Sequence, residues 1–275
     1  MFYLVAVFIQ LMFIGNLSMK KTLIALAVAA SAVVSGSAMA WTANGTGSSV
    51  ELGGTLTPVE KITPWEVKTG AAVTGLDAGV TRGQNVVNIA LKANIPVLGI
   101  RNNSHDGFRG QSGIDPQISY GGKVDIDSMK NGAANLALDV TSAGQKIGTL
   151  SAEMRVASQA NNGTDSNVML FAPTAGDGFF GGIAKNEAGV WNGIGAYSWA
   201  TTVFPGIADT WSDGGISFGG GTGVFNFDAA HAIYHAYYAS GIDKGRTITI
   251  TLDQGVAGDT QIQWNASLPV TVTYM

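Results

Sequence analysis

Apolar and polar residues alternate from Trp264 to the end of this chain, a pattern that suits a β-strand and little else. Trp264, Ala266, Leu268, Val270, Val272 and Tyr274 fall on one face, and Asn265, Ser267, Pro269, Thr271, Thr273 and Met275 on the other. Such a segment carries one face built for burial. Pro269 removes one donor from the ladder, so a strand paired on both sides would have to be interrupted there. An apolar strand left bare would recruit other chains edge to edge, so this one is either covered in the fold or is itself a docking strand.

A similar pattern stands near the other end. After Trp41 to Gly47, the residues Val50, Leu52, Gly54 and Leu56 alternate with Ser49, Glu51, Gly53 and Thr55, and Pro58 closes the run. This segment can serve as the first strand of its own domain. It can equally be added to the sheet edge of another protein, the ladder giving affinity and alternate side chains filling pockets.

Between these ends the spacing predicts strands at Trp65 to Thr69, Val86 to Leu91, Ile95 to Ile100, Gln117 to Ile126, Leu136 to Val140, Lys146 to Val156, Val168 to Phe171 and Arg246 to Leu252. Gly, Asn and Pro separate them at short intervals, as in a β-sandwich. Ala229 to Ala239 reads as helix or strand, and no sustained helical period is evident. The fold class is all-β.

The first forty residues read as a leader. Met19-Lys20-Lys21, the apolar run Thr22 to Val34 and the small-residue site Ala38-Met39-Ala40 have the order of an export signal, so residues 19–40 are a signal peptide and the mature chain starts at Trp41. Met1 to Ser18 is uncharged and apolar. It reads as a mis-called start, the alternative being a membrane anchor with a hairpin. The remainder accommodates one large β domain.

Removing Lys20 and Lys21 with the leader takes the balance from 15 basic against 19 acidic residues to 13 against 19. A duplex-binding protein needs the opposite sign, so nucleic acid is not an expected partner. The chain has no cysteine, which excludes thiolate chemistry and leaves burial and strand pairing to hold an exported domain together. From about Ala157 to Phe227 glycine is dense and Trp191, Trp199 and Trp211 cluster, which marks an insert on the sandwich or a set of loops with its own small core.

Two patterns of catalytic type carry little. Gly215-Ile216-Ser217-Phe218-Gly219, with Asp228 and His231 after it, has the spacing of a nucleophile elbow, but Gly220 to Gly223 follows where a helix is required. His231 and His235 stand four apart, as metal ligands on a helix do, but no Glu accompanies them as base. No metal, cofactor or enzymatic activity is expected.

The leader, Val50-Glu51-Leu52-Gly53-Gly54-Thr55-Leu56-Thr57, Trp65-Glu66-Val67-Lys68-Thr69-Gly70, Pro116-Gln117-Ile118 and the ending from Trp264 to Tyr274 together resemble the cysteine-free subunits of Fae-type fimbriae, adhesive fibres assembled by the chaperone/usher route. The resemblance implies an immunoglobulin-like sandwich lacking its final strand, completed by a strand donated by a neighbour. It implies that residues 41–58 hold the donor strand, with Val50, Leu52, Gly54 and Leu56 as donor residues. Residues 59–275 would form the subunit domain, with an insert near 157–227.

By the same resemblance a periplasmic chaperone grips the groove strand Trp264, Ala266, Leu268, Val270, Val272 and Tyr274 before the neighbour's donor replaces it. Tyr274 as penultimate aromatic fits that pattern, whereas Ile262 stands where many such subunits carry glycine. The implied partners are the chaperone, an outer-membrane usher, identical or related subunits and a host glycan receptor. The implied location is a fimbrium at the cell surface, reached through the periplasm.

In such families the elaborated region often binds carbohydrate, which makes Trp191, Tyr197, Trp199 and Trp211 the candidate glycan-binding residues, since aromatic faces stack on sugar C–H surfaces. Core packing is the alternative role for each of them. From another functional class, the chain also reads as a secreted, self-contained β-sandwich that binds carbohydrate and completes its sheet with its own first strand.

Overall fold

The structure is a computed structural model that describes residues 43–46, 52–57 and 62–275, so the expected leader and Val50 lie outside the described residues. The chain divides into two units, residues 1–59 and 60–275. In the first, Ala43 and Asn44 form a turn, and Leu52 to Thr57 are neither helix nor strand. Leu52 and Leu56 are 93% and 97% exposed.

The second unit is a β structure. In chain order its strands are β1 (Trp65–Thr69), β2 (Val86–Ala90), β3 (Ile95–Asn102), β4 (Phe108–Arg109), β5 (Pro116–Ser119), β6 (Val124–Lys130), β7 (Ala133–Ser142), β8 (Gln145–Asn161), β9 (Asn167–Leu170), β10 (Thr222–Gly223), β11 (Ile233–Ile242), β12 (Thr247–Leu252), β13 (Asn265–Ala266) and β14 (Thr271–Tyr274). One α-helix, α1 (Gly195–Val203), joins them.

The 17-residue β8 is the spine. On one edge it pairs with β12 and then, further along, with β11; on the other it pairs with β7 and then β9. The path continues from β12 to β2 and from β11 through β3 to β1. β5 and β14 form a separate antiparallel pair. The arrangement is an all-β sandwich consistent with an immunoglobulin-like fold.

The main core lies between the layers, where Leu98, Ile100, Val140, Leu150, Met154, Ile248 and Ile250 are buried. Each such side chain contributes about 1.5–3 kcal/mol relative to exposure. At one end Trp65, Phe108, Phe179 and Phe227 stack edge to face, with Phe227 centred 5.1 Å from Trp65 and 5.9 Å from Phe179. The Trp65 indole donates to the Ile114 carbonyl at 2.7 Å, which satisfies its one polar atom.

Two expectations need correction and one open reading is decided. Gln117 to Ile126 is not one strand: Gly121 and Gly122 take φ of 59° and 73°, which glycine adopts without penalty. The turn sends β5 to β14 and β6 to β7. The ambiguous Ala229 to Ala239 begins as a turn closed by Ala232 N–H to the Ala229 carbonyl, 3.0 Å, and becomes strand from Ile233. Finally, Trp264 to Tyr274 is two strands, broken around Pro269 where the missing donor permits no continuous ladder.

α1 was not legible as a helix. Its sequence GAYSWATTV mixes glycine and β-branched residues, so tertiary packing holds it: Ala196, Ala200 and Val203 sit buried on one face. They cover the outer face of β11, where Tyr237 and Ala239 join a second core with Phe204 and Ile207. β11 is therefore buried on both faces, Tyr234, Ala236 and Tyr238 serving the main core. The compositional boundary at Ala157 falls inside β8, which runs on to Asn161, and Phe227 belongs to the main core.

Candidate functional site

Beside the last strand runs an apolar groove. One wall is the segment from Gly258 to Val270, and the other is the segment from Thr69 to Arg82. Two compartments make up its length, of about 630 and 990 Å³. Val87, Ile89, Val140 and Ile250 reach the smaller, and Leu136, Leu138, Leu150 and Ile248 the larger. All eight belong to the main core, so the groove opens directly onto it. Ala78, Gln261, Ile262 and Trp264 line both compartments and mark the place where they meet.

Of the six expected groove-strand residues, Trp264, Ala266, Leu268 and Val270 line the groove, whereas Val272 and Tyr274 lie beyond its lining, on β14. Trp264, Ala266, Leu268, Val270, Val272 and Tyr274 are half-buried and pack on the main core, while every residue between them is exposed. Among the described residues β13 pairs only with β7, through Ala266 and Val140, and β14 only with β5. The other edge of each carries no strand among the described residues. Backbone groups and half-covered apolar side chains thus face the same opening, the combination that accepts a further strand.

The opposite wall was not singled out from the sequence. Gly70 N–H donates to the Val97 carbonyl at 3.0 Å and the Thr81 carbonyl accepts from Gln84 N–H at 3.0 Å. Between them, Ala71 to Val80 make no backbone hydrogen bond among the described residues. Gly70 is required at its hinge, because a Cβ there would stand 1.9 Å from the Pro96 carbonyl oxygen. The alternation of Leu76, Ala78 and Val80 was the available signal. An Arg82–Asp259 ion pair at 2.8 Å ties the two walls at the smaller compartment, but both groups are well exposed and it contributes under about 1 kcal/mol.

At the chain end, Asp115 N–H donates to the Met275 carbonyl and Met275 N–H to the Asp115 carbonyl, both at 3.1 Å. The Asp115 carboxylate is buried and accepts from Phe227 N–H at 2.8 Å. Burial pushes its pKa up to about 6, the Phe227 hydrogen bond opposing and the nearby Asp228 and Asp177 charges adding to the rise.

The four aromatic candidates gather around α1. Trp191 and Trp199 meet edge to face at 5.8 Å, and the Arg155 guanidinium lies 4.5 Å above the Trp191 ring. Arg155 also pairs with Asp243 at 2.7 Å, and Asp243 accepts from the Trp199 indole, closing a ring of contacts. Trp211 and Tyr197 pack edgewise on the buried Tyr237 at 5.2 and 6.1 Å. The three tryptophans are half-buried, and Tyr197 alone of the four is exposed, at 37%. Ile194, beside it, is 82% exposed.

Gly215 to Gly219 lies in a loop entered through Gly214 and Gly215 at positive φ, outside the strand–helix setting a nucleophile elbow requires. His231 sits exposed in the turn before β11, whereas His235 is buried within the strand near the Thr210 carbonyl. Burial lowers the pKa of His235.

Comparison with known proteins adds the context. A family model described as fimbrial, major and minor subunit matches residues 19–275. Similar curated relatives include K88 fimbrial protein AD of Escherichia coli, 31% identical, and F41 fimbrial protein of Escherichia coli, 32% identical. K88 fimbrial protein AB of Escherichia coli is 32% identical. Each alignment covers 93% of this chain and the whole of the relative.

Proposed function

The chain belongs to the fimbrial major and minor subunit family, a structural rather than enzymatic family whose members assemble with related subunits into surface fimbriae, and on that premise we propose that it polymerises by donor-strand exchange. The donor is the segment Val50 to Leu56 of one copy, and the acceptor is the groove along Trp264 to Tyr274 of the next. The observation that carries this reading is the match of two half-made surfaces. The groove is floored by core side chains and runs beside strand edges that carry no partner strand among the described residues, while Leu52 and Leu56, on either side of Gly54, stand 93% and 97% exposed.

Burying Val50, Leu52 and Leu56 contributes about 1.5–3 kcal/mol each. Such a groove is an aggregation hazard until filled. A periplasmic chaperone holding the Trp264 to Tyr274 strand, and an outer-membrane usher that hands the subunit on, answer that hazard during export from the leader at residues 19–40.

The test compares a chain lacking Thr42 to Thr57 with one carrying those residues grafted by a flexible linker after Met275. Rescue of a soluble monomer with a much higher melting temperature supports the reading. A native-order chain that is already a stable monomer, and gains nothing from the graft, supports the self-contained sandwich instead.

Adhesion to host glycans belongs to the same proposal and is drawn to the α1 region, where Tyr197 is 37% and Ile194, three residues earlier, 82% exposed. A glycan array probed with assembled fibres tests it. Binding lost in Tyr197→Ala fibres supports the site, and absence of binding by intact fibres removes it.

A further inference from the structure

Four asparagines of this chain precede glycine: Asn44, Asn131, Asn162 and Asn192. Such a step is chemically weak, because a glycine nitrogen has no β-carbon beside it to hinder attack on the asparagine side chain. The fold treats the steps differently. Gly132 N–H donates to the Gly189 carbonyl at 2.8 Å, and Gly163 N–H to the Asn161 side-chain oxygen at 3.1 Å. Asn162 is held further, its side-chain oxygen accepting from the N–H groups of Thr164, Asp165 and Ser166, each at 3.1 Å.

Asn192 is exposed, and Gly193 N–H has no partner among the described residues. A Cβ on Gly193 would meet nothing nearer than the Trp191 indole nitrogen at 3.9 Å, whereas one on Gly132 or Gly163 would stand 2.6 or 2.8 Å from a backbone carbonyl oxygen. The Asn192 amide has a task of its own, donating to the Gly220 carbonyl at 2.6 Å. Asn161 and Asn167 donate likewise to the Ser212 and Ile216 carbonyls, so three amides pin the glycine-rich loop at every fourth residue. Of these three, Asn192 alone precedes glycine. We propose that Asn192 is a site of spontaneous deamidation, and that its conversion unpins the loop between Ile216 and Gly221.

The Gly193 nitrogen gives its proton to solvent and bonds to Asn192 Cγ. The Cγ–Nδ2 bond breaks, and Nδ2 takes up a proton and leaves as ammonia. Water then adds to one carbonyl of the cyclic imide and a C–N bond breaks, giving aspartate or isoaspartate at position 192. One water is consumed, one ammonia is released, and nothing is oxidised or reduced. The bond to Gly220 engages the nitrogen that leaves, not the one that attacks.

The product carboxylate has no proton to donate, so it faces the Gly220 carbonyl as acceptor against acceptor. It also puts a negative charge into the stretch from Ala188 to Ala208, which holds no charged residue. Past Gly220 the chain stays fixed, because Met169 N–H donates to the Gly221 carbonyl at 3.1 Å. The released part contains Phe218, which is half-buried against the second core. Neither strand exchange nor glycan binding is needed for this step.

Purified fibres of the full chain, held in warm, mildly alkaline buffer, are followed by mass spectrometry of their peptides. Asn44 is the reference, since Gly45 N–H also has no partner among the described residues. Asn192 should convert at least about fivefold faster than Asn131 and Asn162, each of which must first free its glycine nitrogen from a hydrogen bond. Gly193→Ala, for which there is room, should slow conversion at Asn192 and leave Asn44 unchanged. Equal rates at Asn192, Asn131 and Asn162, or no slowing by Gly193→Ala, overturn the site.

Asn192→Asp fibres, treated briefly with chymotrypsin, should be cut after Phe218 about fivefold faster than wild type, because losing one hydrogen bond enriches the open loop by that factor. Wild-type fibres aged until Asn192 has converted should show the same gain, which keeps the test open if the variant does not assemble. Unchanged cutting in either material overturns the unpinning and leaves the modification standing.

Discussion

Replacing Leu52 and Leu56 together by alanine should weaken the joint between copies by about 5 kcal/mol. Each change removes three carbons, at about 0.8 kcal/mol per buried methylene, so each side chain accounts for about 2.4 kcal/mol. Nearly all of that is available, because the two side chains are 93% and 97% exposed before docking. In the proposed joint they would enter a groove whose floor includes Leu138 and Ile248 in one compartment and Val140 and Ile250 in the other. Four residues of strand hold them about 13 Å apart, so their effects should add.

At about 1.4 kcal/mol per tenfold, the double variant should dissociate some three orders of magnitude faster, and each single variant about fifty-fold faster. The assay follows loss of multimers from purified fibres in denaturant over time. Thr55→Ala and Glu51→Ala, on the outward face, serve as controls. If the double variant dissociates within about tenfold of the wild type, or the outward controls fall as far, the assignment of faces is wrong and the reasoning with it.

Phe227→Ala should lower stability by about 3–5 kcal/mol, read as a fall in melting temperature, because the ring is fully buried among Trp65, Phe108, Phe179 and Tyr234; the half-buried Phe225→Ala should cost less. Asp115 binds its proton more tightly folded, near 6, than unfolded, near 3.8, so the native state holds more protons in that interval and this group's contribution to stability should fall as pH rises through it. Asp115→Asn, which keeps an acceptor for Phe227 N–H, should flatten that part of a pH–stability curve. Trp199→Ala should lower the melting temperature more than Tyr197→Ala, since it removes the Asp243 hydrogen bond and the Trp191 contact whereas Tyr197 gives up an edgewise contact with Tyr237; binding lost in Tyr197→Ala fibres that still assemble reports on recognition.

Much of the fold is local enough to read from the chain. The period of two places β12 at Thr247 to Leu252 and the inward face from Trp264 to Tyr274, because a half-buried strand must alternate, whereas β1 at Trp65 to Thr69 buries only Trp65. β11 defeats that rule: covered on both sides, Tyr234 to Ile242 shows a continuous run that a buried helix would also show. α1 defeats it differently, since Ala196, Ala200 and Val203 are a weak stripe that only the sheet beneath makes helical.

For the site, residues alone determine which faces are apolar: the alternation at Val50 to Leu56 and from Trp264 to Tyr274 is a property of the order of side chains. Whether such a face is covered is a property of neighbours distant in sequence. Only the tertiary structure supplies the second wall at Thr69 to Arg82, the break at Pro269 that hands β13 to β7 and β14 to β5, and the two compartments meeting at Trp264. It also packs three of the four candidate aromatics against a core around Tyr237, because a tryptophan's ring serves packing and recognition equally well until its surroundings are fixed.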